Sequence, residues 1–227
     1  MPSKAPRPEE AQALIEAYYA QGWTDGLPVV PPSAQSVEAM LQAADLRGDS
    51  ELGHIHERNT TVTADKVAVN AVLAGCLPEY MPVVVAAVKG LCHPAYGYHG
   101  PATSTGGAST MLIVNGPIGP KLGINSGGNA FGPGPRANLT IGRAVRLTMM
   151  NALNTRPGKL DRSTLGNPAK LSFCFAENEA ASPWEPLHME RGFAADSSTA
   201  TVFAAESILQ VYNQLSREPE ELLRPFA

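Results

Sequence analysis

Apolar positions recur at helical spacing through the first two thirds of the chain and alternate in short stretches in the last third. Residues 9–21 place Leu14, Ile15, Tyr18 and Tyr19 on one helical face, and Gly22 stops that helix. An extended segment follows to residue 32. Ser33 suits the N-cap of a second helix that turns Val37, Met40 and Leu41 inward. Residues 45–59 are polar and charged, show no period and read as a surface connection. Thr63 can cap a third helix over residues 64–74, with Val67, Ala71 and Ala74 along one stripe and Gly75 at its end. Pro78 suits the first turn of a fourth helix over 79–91. Gly75, Cys76 and Leu77 alone join these two, so they form an αα-hairpin, and both are apolar on more than one face, as core helices are.

Beyond His99 the pattern changes. Residues 110–114 read as a strand, 115–135 as a loop, and 137–153 as a fifth helix with Ile141, Ala144, Val145, Thr148 and Met149 at i, i+3, i+4 spacing. Residues 171–175 alternate as a strand does, and 199–203 read as another strand followed by a helix to Leu215. The element list predicts an α+β fold: a helical N-terminal half packed on a small mixed or antiparallel sheet from the C-terminal half. Residues 1–32 are expected to form an N-terminal helix and arm, and 33–227 a single α+β domain.

Composition narrows the function classes. The chain is 44% hydrophobic, ordinary for a globular core, and its formal charge of −4 argues against general nucleic-acid binding. No apolar run reaches the roughly 18–20 residues of a membrane span, and the polar start lacks the apolar core of a secretory signal. Three cysteines without a pairing pattern fit reduced thiols in a cytoplasm. Glycine and proline are abundant, and 15 of them fall between Gly100 and Pro135 around an apolar strand, which marks a folded, turn-rich region.

Four places carry candidate chemistry. In the first, Asn125, Ser126, Gly127, Gly128 and Asn129 lead into the helix that starts at Arg136, and Arg143 lies further along it. Glycines let backbone N–H groups approach a ligand. A helix start with a cation on it favours a small anionic molecule. The spacing is neither a phosphate-cradling P-loop nor a dinucleotide fingerprint. The plainer reading is a loop that packs on itself. The second place is Cys76, just before the fourth helix, where a helix start lowers a thiol pKa; a small buried core residue is the plainer reading. The third is the segment after a strand end that holds Glu177, Glu185 and His188, suited to acid–base work. There the plainer reading is a structured loop with Trp184 buried and Glu185 paired with Arg191. The fourth is His99, a possible second wall of the glycine-rich site, whereas His54 and His56 lie on a polar stretch and read as exposed. No spacing identifies a metal or a cofactor.

Several long motifs carry a resemblance: GWTDGLPVVPP at 22–32, VNAVLAGC at 69–76 with PEY at 78–80, LGINSG at 122–127, FGPG at 131–134 with RAN at 136–138 and TIGR at 140–143, and AENE at 176–179 with SPWEPLH at 182–188 and ERGF at 190–193. Together they resemble a bacterial family of unassigned activity. The resemblance implies pairing with a small cysteine- or selenocysteine-motif protein of the UGSC type, in a two-component, thiol- or selenol-dependent enzyme.

Two readings of function stand side by side. In one the chain is an enzyme or catalytic subunit of small-molecule metabolism, lyase- or hydrolase-like. It acts on an anionic organic acid or thioester by thiol or acid–base chemistry. In the other it is a non-catalytic binding or scaffold subunit of a two-component thiol- or selenol-dependent complex. Either is expected as a homo- or hetero-oligomer.

Overall fold

The computed structural model describes residues 7–226; the first six residues of the expected arm, and Ala227, lie outside the described residues. Nine helices, α1 (Pro8–Ala20), α2 (Ala34–Ala43), α3 (Ala64–Ala74), α4 (Met81–Cys92), α5 (His99–Thr103), α6 (Ile118–Lys121), α7 (Arg136–Asn151), α8 (Leu187–Glu190) and α9 (Pro219–Leu223), are described among these residues. They accompany five strands, β1 (Glu51–Ile55), β2 (Thr60–Thr63), β3 (Ser109–Asn115), β4 (Cys174–Ala176) and β5 (Thr199–Ala205). The fold is α+β, with helices dominating the N-terminal half and a small sheet in the C-terminal half.

The sheet is mixed, in the order β4-β3-β5. β3 pairs parallel with β4, setting Leu112 beside Cys174 and Val114 beside Ala176. It pairs antiparallel with β5, setting Leu112 opposite Val202 and Asn115 opposite Thr199. Because strand side chains alternate, Leu112, Val114, Cys174, Ala176 and Val202 share one face. α4 and α7 pack against the sheet on that side. Val202 comes so close to α4 at Gly90 that a Cβ there would lie 2.7 Å from its Cγ2, so the contact requires glycine. The core runs on between α3, α4 and α7, where Val67, Ala71, Val84, Val88, Ile141 and Leu147 are buried. Fully burying a side chain of the Val, Ile or Leu type contributes about 1.5–3 kcal/mol, so this helical layer supplies much of the stability.

Ser33 caps α2 as expected, accepting from the Ser36 N–H at 3.1 Å, and Met40 and Leu41 are buried. The arm is fastened to the body: the Val30 N–H donates to the Leu73 carbonyl at 3.2 Å, and Arg156 donates to the Gly22 carbonyl at 2.5 Å.

Three expectations need correction. The stretch read as a surface connection contains β1, which forms an antiparallel hairpin with β2, with a register shift between Glu51 and Gly53. The strand expected at 171–175 begins only at Cys174, because Leu171 is exposed and ends a 3-10 turn. No helix follows β5 to Leu215; Leu209, Tyr212 and Leu215 are exposed, so that apolar pattern has no surface to pack on. No helix among the described residues is long and apolar enough to cross a membrane.

Candidate functional site

Two parallel neighbours, β3 and β4, end side by side, and the residues just past their ends carry polar groups. The last residue of β3 is Asn115, which is buried. Its Nδ2 donates to Glu177 Oε2 at 2.5 Å and to Glu179 Oε1 at 2.8 Å. One amide therefore holds two carboxylates. Glu179 Oε1 also accepts from the Gly116 N–H at 2.8 Å, and Glu177 Oε2 from the Leu187 N–H at 2.9 Å. Gly116 has φ +80°, and a Cβ there would fall on the Ser197 carbonyl oxygen; only glycine allows β3 to turn under the entry to β5.

By holding the Leu187 N–H, Glu177 fixes the turn that carries His188. That imidazole is buried, with a side-chain exposure of 1%, and its Nδ1 lies 3.9 Å from Glu179 Oε1. Neither ring nitrogen has a hydrogen-bond partner among the described residues, nor do Asn115 Oδ1 and Thr199 Oγ1. Buried polar atoms without partners are uncommon and costly. Four of them are linked here through Asn115, Glu179 and the Asn115–Thr199 register pair.

A cavity of about 710 Å³ opens above these groups. Its walls include Glu177, Glu179, Gly116, Gly123, Asn125 and Ser126, and among the described residues no lysine or arginine lines it. The volume falls within the range of small-molecule sites.

The sequence-derived candidates divide. Glu177 and His188 meet at this site, and Asn125 and Ser126 form part of its wall. Gly127, Gly128 and Asn129 lie outside the lining. They belong to a loop held largely by its own groups. Asn125 Nδ2 donates to the Gly128 carbonyl at 3.0 Å, Asn125 Oδ1 accepts from the Gly127 N–H at 3.0 Å, and Asn129 Nδ2 donates to the Pro133 carbonyl at 3.0 Å. Buried Asn138 clamps the loop from α7, accepting from the Asn125 N–H at 2.8 Å and donating to its carbonyl at 3.0 Å. Phe131 stacks edge-on against Phe175 at 4.8 Å.

Arg136 donates to the Gly75 carbonyl at 2.9 Å instead of facing the cavity. Arg143 forms a two-pronged pair with Asp25, both contacts 2.7 Å, and this pair fastens the arm to α7. His99 and Glu185 are exposed and line no part of the cavity. Trp184, read as buried in the plainer account of its segment, is 77% exposed, and Glu185 has no ion pair with Arg191.

Cys76 also stands apart. The thiol is buried and donates to the Thr140 carbonyl at 3.3 Å. Burial pushes its pKa up to about 12, against the smaller opposing effects of the hydrogen bond with Thr140 and the charges of Arg136 and Arg143. The expected lowering by a helix start is not found. A 3-10 turn (Pro78–Tyr80) intervenes before α4, and desolvation dominates. Among the described residues, no group of three or more His, Cys, Asp or Glu side chains is placed to hold a metal ion.

Sequence reading did not single out Asn115, Glu179 or Thr199. Glu179 lay within the quoted AENE motif, and a polar residue closing an apolar strand was the available signal for Asn115. Comparisons of the chain with protein-family models, with curated proteins and with solved structures find no match.

Proposed function

We propose that this chain is an enzyme, or the catalytic subunit of one, acting on a small polar molecule by acid–base chemistry in a lyase- or hydrolase-like reaction. The observation that carries the reading is the junction of Glu177, Glu179 and His188 around one buried asparagine, beneath a cavity at the ends of two parallel strands. Glu179 faces the cavity and is the proton acceptor. His188, packed beside it with both ring nitrogens free, passes the proton on or holds Glu179 in place. Glu177, tied to the Leu187 N–H, is the positioning residue that sets His188.

Among the described residues the wall has two carboxylates and no cation, so it favours a ligand edge rich in hydroxyl, amine or amide donors. This departs from the small anion suggested by the glycine-rich loop, whose arginine is committed to Gly75. Cys76 lies outside this cavity and is buried, so carboxylate and imidazole groups, rather than a thiol, are what the site offers.

The test is turnover of a library of hydroxy acids, amides and thioesters, followed by mass spectrometry, in wild type and in Glu179→Gln and His188→Asn variants. Loss of positioned acid–base groups lowers rates by about 10²–10⁴-fold, so folded variants should lose at least that lower figure. Folded variants that turn over a substrate at the wild-type rate would refute the proposal.

A second reading draws on Trp184 and Phe193. These are exposed large aromatics on the segment that carries His188, and they favour a second copy of the chain as a cover beside the site. Light scattering of wild type against Trp184→Ser tests it: an oligomer that dissociates in the variant supports a cover, and a monomer in both removes it.

A further inference from the structure

A second cavity, of about 470 Å³, lies between the turn after α1 and the segment that follows α7. Arg146, Arg156 and Lys170 line it, together with Asp25. The charges around it do not balance. Asp25 is taken up by Arg143. Among the described residues, Asp161 is the only carboxylate serving both Arg146, at 3.0 Å, and Lys170, at 2.7 Å. Its oxygens are further occupied by the Ser163 hydroxyl at 2.5 Å and N–H at 3.2 Å. Arg156 has no carboxylate partner among the described residues and spends one nitrogen on the Gly22 carbonyl. Four cationic side chains thus share two carboxylates, in a chain whose overall formal charge is −4.

These cations are not loose surface groups. The side chains of Arg146 and Lys170 are 11% and 15% exposed, held by Asp161. Arg146 meets Asp161 through one nitrogen, Nη2, which leaves its Nε and Nη1 donors available. Arg156 likewise keeps Nε and Nη2. Two guanidinium edges with spare donors on one cavity form a fork that matches the oxygens of a carboxylate or phosphate. Met150 and Leu171 add an apolar part to the lining, room for the carbon body of an organic ligand.

We infer that this cavity is a binding site for a small organic dianion, a dicarboxylate or a phosphate ester, gripped by Arg146 and Arg156 and distinct from the Glu177–Glu179–His188 site. The excess of two positive charges matches a dianion and is neutralised by it. Position and chemistry fit a ligand that ties the arm to the domain, since the cavity wall is formed by both.

The test is thermal-shift and calorimetric titration of the full chain with inorganic phosphate and with malonate, at ionic strength matched by sodium chloride. Saturable stabilisation by either probe, with none from chloride, is expected; preference for one assigns the phosphate or the carboxylate class. Arg156→Gln should weaken binding by about tenfold or more, the loss expected of a charge-assisted hydrogen bond. Arg156→Lys keeps the charge and should weaken it less, and Arg136→Gln, outside the cavity, should leave it unchanged. The inference is overturned if neither probe saturates, or if a folded Arg156→Gln binds as wild type does. The readout is independent of turnover, so it stands or falls separately from the proposed activity.

Discussion

Replacing Asn115 by aspartate exchanges one amide for a carboxylate at nearly constant volume. In the native chain its Nδ2 supplies one hydrogen to Glu177 and one to Glu179. The Asn115→Asp variant loses both donors and sets a third carboxylate against the first two. Hydrogen bonds to charged groups contribute about 1.5–3 kcal/mol each. Glu179 is partly exposed and can turn towards water, so its share falls at the lower end. The expected loss is about 3 kcal/mol, which for a chain of this size lowers Tm by roughly 6–12 °C. Urea titration and calorimetry at neutral pH measure it. A further Glu179→Gln substitution provides a donor for the new carboxylate, so the double variant should regain about 1–2 kcal/mol relative to additivity. A Tm change below about 2 °C, or strictly additive variants, would show that Asn115 does not hold the carboxylates together.

The thiols offer another check. Burial pushes Cys76 up to about 12 and Cys92 up to about 11, and raises Cys174 further. Native protein at pH 8 should therefore react slowly with a thiol reagent at all three positions and completely after denaturation; prompt labelling of Cys76 would revive the thiol mechanism. A third expectation concerns Asp161. Burial alone would raise its pKa, but hydrogen bonds from Lys170, Ser163 and Arg146 outweigh it and hold the carboxyl well below the usual range. A depressed folded pKa contributes stability that is complete above the unfolded value, near pH 4, and is lost as pH falls below it. Wild type should accordingly exceed Asp161→Asn in stability at pH 7 and lose that lead on acidification; a lead that stays constant down to pH 3 would refute the account.

The sequence was most informative where one local rule decided the outcome. α3 matches its expected bounds of 64–74 because an apolar stripe runs from Thr63 to a terminating glycine. The β1–β2 hairpin escaped notice because its bulge breaks the alternation: Leu52 and Ile55 are both buried, three residues apart. At residues 209–215 the opposite occurred. An apolar period was present, but no tertiary surface receives it, and propensity alone does not make a helix.

The site was half visible for a related reason. Glu177 and His188 stand in one segment rich in polar groups. Asn115 is a single amide 62 residues from Glu177, and only the pairing of β3 with β4 brings them together. The commitment of Arg136 to a backbone carbonyl and of Arg143 to Asp25 depends on contacts 61 and 118 residues away, beyond any local pattern.

The parallel pairing of β3 with β4 also bears on the order of folding. The glycine-rich loop and α7 lie between the two strands, and this span must be closed before Asn115 can meet its carboxylates. Parallel pairing across such a span is a slow, entropically expensive closure, while α3 and α4 can associate as a local hairpin. The amide–carboxylate junction therefore belongs among the last native contacts to form. In a refolding experiment, recovery of ligand binding should lag behind recovery of helix.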